Sequence, residues 1–145
     1  RGSPDAFVVG ADTVVVLHGT IMEKPGSEAA AREMLRALSG QTHQVITGLC
    51  VQGPGRDDAR IVRTLAVTTD VEFKELAADE IQAYILSGEP MDKAGAYAIQ
   101  GRAACMIRQI RGSYTNVVGL PLTELVDILA VDFGVVPTFR GPAGA

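Results

Sequence analysis

The sequence has no tryptophan, only two cysteines and two histidines, and an aromatic share of 5%. Two cysteines do not make a disulfide scaffold. Cys50 and Cys105 each sit inside an apolar run, Leu49-Cys50-Val51 and Ala104-Cys105-Met106. Both are therefore expected to be buried free thiols in a reducing compartment. His18 and His43 stand apart from them, and no Cys/His spacing matches a zinc site. No apolar run approaches the ~20 residues of a membrane span, and nothing visible reads as a secretory leader. A basic surplus is missing too: 13 basic residues face 17 acidic ones, for a net charge of −4. That argues against a general nucleic-acid binder and leaves room for a small anionic ligand held by a few placed cations. Gly-x-x-x-x-Gly-Lys-Ser/Thr, Gly-x-Ser-x-Gly and His-Glu-x-x-His strings are all lacking. P-loop, hydrolase-elbow and zincin readings lose their main support with them.

What is present is ample for folding. The 145 residues are 47% hydrophobic and 21% charged, which suits one ordinary globular domain and argues against disorder. A chain of this size buries roughly 68–70% of its unfolded surface, so it needs no metal or disulfide staple. Valine-rich runs at Phe7 to Gly10 and Thr13 to Leu17 favour strand. His18-Gly19 reads as a turn, returning as Thr20-Ile21-Met22. Ser27 is an N-cap candidate for a helix carrying Ala31, Met34, Leu35 and Leu38 on one face and stopped by Gly40. Gln44 to Val51 and Arg60 to Phe73 read as a hairpin around Gly53-Pro54-Gly55-Arg56-Asp57. Glu80 to Ser87 is a short helix, Asp92 to Gly101 an irregular stretch and Ala103 to Ile110 a strand. Pro121 starts a last helix running to about Val131. Alternating strands and helices with long hairpins predict an α/β or α+β domain.

Four polar stretches interrupt these elements. Asp12, in Gly10-Ala11-Asp12-Thr13, is a charge in a valine-rich strand region, which is unfavourable unless solvated, paired or metal-bound. A turn or bulge aspartate bonding its own backbone is the plain alternative. Lys24, in Glu23-Lys24-Pro25, lies beside a helix N-terminus and suits a phosphate, or is an ordinary solvated lysine. Gly88 to Tyr97 packs acid, base and glycine together, and such a loop can set Lys93 and backbone N–H groups around an oxyanion. Asp92 there is equally an N-cap for a helical turn. Gly112 to Pro121 either shapes a nucleotide pocket or is a turn leading into the last helix. Asp57-Asp58 reads as a solvated hairpin tip, and Asp79-Glu80 as first-turn partners of a helix dipole.

The order of these stretches is specific. Gly-Ala-Asp-Thr-Val-Val-Val, Glu-Lys-Pro, Met-Leu-Arg-Ala-Leu-Ser-Gly-Gln-Thr-His-Gln-Val, Gly-Glu-Pro-Met-Asp-Lys-Ala-Gly-Ala-Tyr-Ala-Ile-Gln-Gly and Ser-Tyr-Thr-Asn-Val-Val-Gly-Leu-Pro follow one another. Together they resemble the Maf family of nucleoside triphosphate pyrophosphatases, from about Val9 to Leu129. The resemblance implies an α/β fold with a mixed twisted sheet and flanking helices, like that of inosine triphosphate pyrophosphatases. It implies residues 1–8 as a lead-in, 9–131 as the pyrophosphatase domain and 132–145 as a tail. Arg1-Gly2-Ser3 also looks like an expression-vector remnant.

The resemblance further implies hydrolysis of a nucleoside triphosphate to the monophosphate and pyrophosphate with a divalent cation, magnesium or manganese. It implies a cytoplasmic homodimer that binds neither nucleic acid nor membrane. Asp12 matches the family's proton acceptor, and metal ligation is the other role open to it. Lys24 and Lys93 match lysines near the phosphates, with Asp92 beside them as a metal or water contact. Thr13 and Gln100 match positions that set base preference, here in the form of the dTTP- and UTP-preferring branch. The family is also described as septum formation inhibitors. That makes a non-catalytic nucleotide-binding regulator of cell division, or an inactive fragment, the alternative reading.

Two departures from the family pattern carry expectations. Family members begin with a strand, a Ser-x-Ser-Pro-Arg-Arg motif and a helix ahead of Gly-Ala-Asp-Thr. Here Gly10 arrives almost at once, so roughly the first third of the usual domain is expected to be missing, including arginines that would contact phosphate. Weak activity and association through an exposed sheet edge are the expected consequences. Ala98 stands where many members have glycine, and its methyl group is expected to restrict the backbone near Gln100.

Overall fold

The computed structural model describes residues 6–55 and 59–136. The first strand, β1 (Val8–Leu17), runs without a break through Asp12, joining the two expected valine-rich segments into one. Asp12 is thus a strand residue, opposite Gly48, not a turn residue. His18 (φ 50°) and Gly19 (φ 79°) form a tight left-handed turn. Histidine tolerates that region better than most non-glycine residues. The chain returns as β2 (Thr20–Met22), which among the described residues pairs only with Val15–Leu17.

Helix α1 (Glu28–Leu38) is capped as its sequence predicts. The Ser27 hydroxyl accepts the N–H of Ala30 at 3.1 Å, and Ala31, Leu35 and Leu38 are buried. Gly40, at φ 66°, turns the chain out of the helix and donates its N–H to the Lys74 carbonyl. Strands β3 (Thr42–Pro54) and β4 (Arg60–Phe73) form the long central hairpin, extending the expected β3 at both ends. Arg56, Asp57 and Asp58, read as the hairpin tip, lie outside the described residues.

Helix α2 (Ala78–Leu86) follows, with Asp79 and Glu80 in its first turn, and Glu80 pairs with Lys74 at 2.7 Å. Short 3-10 turns at Glu89–Asp92 and Ala94–Ala96 form the irregular stretch. The expected strand from Ala103 is corrected: Arg102–Met106 is a 3-10 turn, and β5 is only Ile107–Arg111. Ala103 and Met106 are buried three residues apart, a spacing that one 3-10 turn brings to one side and a strand would split between two faces. Helix α3 (Tyr114–Val118), capped by Ser113, was not anticipated, and Pro121 is the N-cap of α4 (Leu122–Asp132).

The strands form one sheet in the order β2-β1-β3-β4-β5, and every ladder is antiparallel. A sheet with flanking helices is present, as the α/β reading requires, but among the described residues its ladders are all antiparallel rather than mixed; β1–β2 and β3–β4 are hairpins, while β1–β3 and β4–β5 are joined through helical segments. Along β3, His43, Val45, Thr47, Leu49 and Val51 alternate inward. The apolar ones divide between two hydrophobic clusters, Val45 in one and Leu49 and Val51 in the other. The larger joins Val15, Val45, Val71 and Phe73 to Leu35, Leu38, Ile81 and Ile85 of α1 and α2. The smaller joins Leu49 and Val51 to Phe133, just beyond α4.

The cysteine expectation is corrected for the same geometric reason. Cys50 lies on the opposite, less covered face of β3 and is half-buried, while Cys105 is exposed on its 3-10 turn. An apolar neighbour in sequence is not a neighbour in space when side chains alternate.

Candidate functional site

Between the two hydrophobic clusters the inner face of the sheet turns polar. Thr13 of β1, Thr47 of β3 and Thr69 of β4 line up there, and Asn116 of α3 inserts among them. The Thr13 and Thr47 hydroxyls lie 2.8 Å apart, and Thr47 Oγ1 donates to the Asn116 carbonyl at 3.1 Å. Asn116 Nδ2 donates to the Val45 carbonyl (3.1 Å) and to Thr69 Oγ1 (3.0 Å). Ser113 caps α3 by accepting the Asn116 N–H at 3.2 Å. Thr47, Thr69 and Asn116 are fully buried, so these bonds are needed to offset desolvation. The seam fixes α3 against the sheet and sets the following residues, Val117 to Gly119, at the rim of a cleft.

That cleft, of about 490 Å³, is lined by β1, β3, α3, Lys24 and the stretch from Asp92 to Gln100. Its size falls within the roughly 300–1,000 Å³ typical of small-molecule sites. Asp12, Thr13, Lys24, Asp92, Lys93 and Gln100, the six residues singled out from the sequence, all line it. They come from three separate stretches of chain, and the fold brings them to one place.

Each is positioned by an identifiable device. Strand alternation puts Asp12 on the face opposite Thr13 and Val15. Because β2 ends at Met22, opposite Val15, β3 is the only strand beside this part of β1 among the described residues. At that edge the Asp12 carboxylate accepts the Thr13 N–H at 3.0 Å, while remaining exposed. Lys24 follows Glu23, whose carbonyl accepts the Gly95 N–H at 3.2 Å, so the two lysine-bearing segments are tied together. Lys24 makes no ion pair among the described residues. Lys93 Nζ lies 2.8 Å from Asp92 Oδ2. That hydrogen bond, and the nearby charges of Lys93 and Lys24, hold the Asp92 carboxyl below its ordinary range. Asp92 ends a 3-10 turn and is not the N-cap considered from the sequence.

The turn beyond Lys93 depends on unusual backbone. Gly95 (φ 68°) and Ala96 (φ 60°) are both left-handed and buried. A Cβ on Gly95 would lie 2.9 Å from Val15 Cγ1 in the core. Gly95→Ala is therefore expected to lower unfolding free energy by about 1–3 kcal/mol, combining backbone strain with overpacking. Urea denaturation monitored by circular dichroism checks this, and an unchanged midpoint would show that the turn relaxes freely.

Tyr97 forms part of the cleft wall and was not assigned a role from the sequence. Its hydroxyl meets His43 Nε2 at 2.7 Å, and its ring packs edge-on against Phe73 and His43. Burial pushes the Tyr97 phenol upward and lowers His43 to about 4, so His43 is neutral at neutral pH. Asn116 was inside a stretch noted in sequence, but nothing local distinguished it from a turn asparagine.

Among the described residues no group of three or more His, Cys, Asp and Glu is placed to cage a metal ion. Magnesium is usually held by one or two carboxylates together with substrate phosphates and water. Asp12 and Asp92, lining one cleft with two lysines, fit that donor set. No helix among the described residues is long and apolar enough to cross a membrane.

Fold and cleft together define an α/β protein with a small-molecule-sized cleft of mixed charge, rich in groups that suit phosphate. The chain belongs to the Maf-like protein family, whose model matches residues 1–131. It is 50% identical over 132 residues to the dTTP/UTP pyrophosphatase of Photorhabdus laumondii subsp. laumondii, covering 91% of this chain and 65% of that protein. To the dTTP/UTP pyrophosphatase of Geotalea uraniireducens it is 56% identical over 129 residues, covering 89% and 65%. To that of Geobacter sulfurreducens it is 59% identical over 123 residues, covering 85% and 63%. The chain thus spans slightly less than two thirds of the length of these relatives.

Proposed function

We propose that this chain carries the nucleotide site of a nucleoside triphosphate pyrophosphatase that hydrolyses dTTP and UTP, with residues 9–131 as its catalytic domain. The observation that carries the reading is the convergence of Asp12, Thr13, Lys24, Asp92, Lys93 and Gln100 on one cleft. The names of the relatives support the reaction and the substrate pair.

In this reading water attacks the α-phosphorus, the bond from that phosphorus to the bridging oxygen breaks, and the monophosphate and pyrophosphate leave. A triphosphate carries about four negative charges near neutral pH, and more develops on the transferring and leaving oxygens. Lys24 and Lys93 supply positive charge to those oxygens. Lys93 exchanges its Asp92 partner for phosphate as substrate enters. Asp12 orients the attacking water and accepts its proton. In the other role open to it, Asp12 would with Asp92 hold a divalent cation, magnesium or manganese, which would polarise the phosphoryl oxygens and neutralise charge. Thr13 and Gln100 present hydrogen-bonding groups to the pyrimidine edge, a means of rejecting bases with the wrong donor and acceptor pattern. The reading extends to a cytoplasmic homodimer.

Pyrophosphate release from dTTP, UTP, CTP, GTP and 7-methyl-GTP, with magnesium or manganese, tests it. Turnover concentrated on dTTP and UTP is the expected result. Indifference to the base would overturn the substrate assignment. Tight nucleotide binding without turnover would favour the non-catalytic regulator of cell division.

A further inference from the structure

The loop that carries Gln100 is held from outside the cleft. Gln100 is exposed, and its side chain has no hydrogen-bond partner among the described residues. Two residues before it, the Ala98 N–H donates to the Tyr84 hydroxyl at 3.2 Å. Two residues after it, the Arg102 N–H donates to Glu89 Oε2 at 3.1 Å. These two anchors are joined, because the Tyr84 hydroxyl donates to Glu89 Oε1 at 2.9 Å. Tyr84 is buried on α2 within the larger hydrophobic cluster, so the bracket rests on a rigid element. Its closeness is visible at Gly101, where a side chain would collide with the Glu89 carboxylate. Burial and the neighbouring Glu89 carboxylate both push the Tyr84 phenol upward, keeping its proton on the bond to Glu89.

We infer that Tyr84 and Glu89 are positioning residues for base selection, acting through the backbone on either side of Gln100. The inference rests on the proposed nucleotide site with Gln100 at the base. Uracil presents an acceptor beside a ring N–H donor, and cytosine presents a donor beside a ring acceptor. A glutamine amide carries one acceptor and one two-proton donor, and it matches either base if free to turn. Discrimination requires one orientation of the amide against the base edge, and that in turn requires the loop backbone to hold Gln100 in place to about 0.5 Å. The Tyr84–Glu89 bracket supplies that restraint, and neither residue lines the cleft.

The test is the ratio of Kd values for the α,β-imido analogues of CTP and UTP, by calorimetry on the folded chain. This ratio is unmoved by a general loss of stability, because the folded fraction cancels. Tyr84→Phe keeps the ring in the core and removes both of its hydroxyl bonds. Its ratio is expected to fall by about tenfold, the scale of one discriminating hydrogen bond. Gln100→Ala is expected to fall similarly, and the double variant no further. Glu89→Gln, which retains an acceptor for Arg102, is expected to keep most of the ratio, while Glu89→Ala loses it. A wild-type ratio in Tyr84→Phe and Glu89→Ala would overturn the positioning role, as would losses that add to that of Gln100→Ala. A wild-type chain that binds neither analogue would instead remove the nucleotide reading and the inference with it, and one that binds both equally would remove the base assignment and the inference while leaving a nucleotide site.

Discussion

Asp12→Asn is expected to lower pyrophosphate release from dTTP and UTP by about 10²–10⁴-fold, the range contributed by a positioned acid–base group. The substitution removes a negative charge and a proton acceptor with almost no change of shape. The asparagine oxygen can still accept the Thr13 N–H now held by the carboxylate, so the strand edge stays closed. Asp12 is exposed and lies outside both hydrophobic clusters, so unfolding free energy is expected to stay within about 0.5 kcal/mol of the parent. Steady-state kcat with a coupled pyrophosphate assay, alongside a melting curve, separates the two effects. Activity retained within a few-fold would remove Asp12 from the chemistry, whether as base or as metal ligand.

The second large effect belongs to His43. Burial lowers this histidine from 6.5 to about 4, whereas the unfolded chain exposes it at its ordinary value. Between those limits the unfolded state binds the extra proton, so stability rises with pH. His43's contribution is complete above about pH 6.5, falls as pH drops, and levels off below about 4. At about 1.4 kcal/mol per pH unit the difference is roughly 3 kcal/mol. Among the described residues its Nδ1 has no partner and its other nitrogen meets the Tyr97 hydroxyl, while Phe73 and Tyr97 rings flank it. No charge in these contacts compensates a proton there. Urea denaturation at intervals from pH 4 to 8 is expected to show this slope, and His43→Leu is expected to flatten it relative to the parent. A parallel pH profile in the variant would show that other groups carry the dependence. Because Tyr97 lines the cleft, nucleotide affinity is expected to weaken over the same acidic range.

Much of the secondary structure was legible along the chain. Ser27 and Gly40 bracket α1 because a cap and a left-handed stop act within a few residues. The His18-Gly19 turn and the long β3–β4 hairpin were legible for the same local reason. The failures share a different cause. Ala103–Met106 runs straight into the strand-forming Ile107–Ile110, yet Ala and Met favour helix, Ala103 and Met106 both need burial, and packing turned the backbone into a 3-10 segment. Cys105, between apolar neighbours, points outward on that same turn. The five-residue α3 has little helical signal of its own and exists through Ser113 and the contacts of Asn116.

Asp12, Thr13, Lys24, Asp92, Lys93 and Gln100 were visible as residues and motifs because their order along the chain is distinctive. Their supports were not. Thr47 and Asn116 are separated by 69 positions, His43 and Tyr97 by 54, and Glu89 and Arg102 by 13. By itself the sequence determined the succession of strands and helices, their caps and turns, and the chemical groups available to the cleft. Those properties depend on backbone preference, side-chain period and residue type, all of which act locally. Only the tertiary structure decided that a polar seam splits the core, that Tyr97 and Asn116 build the cleft, and that Tyr84 and Glu89 bracket Gln100. These are hydrogen bonds between distant residues, made necessary by burial that exists only once the sheet and helices have closed on each other.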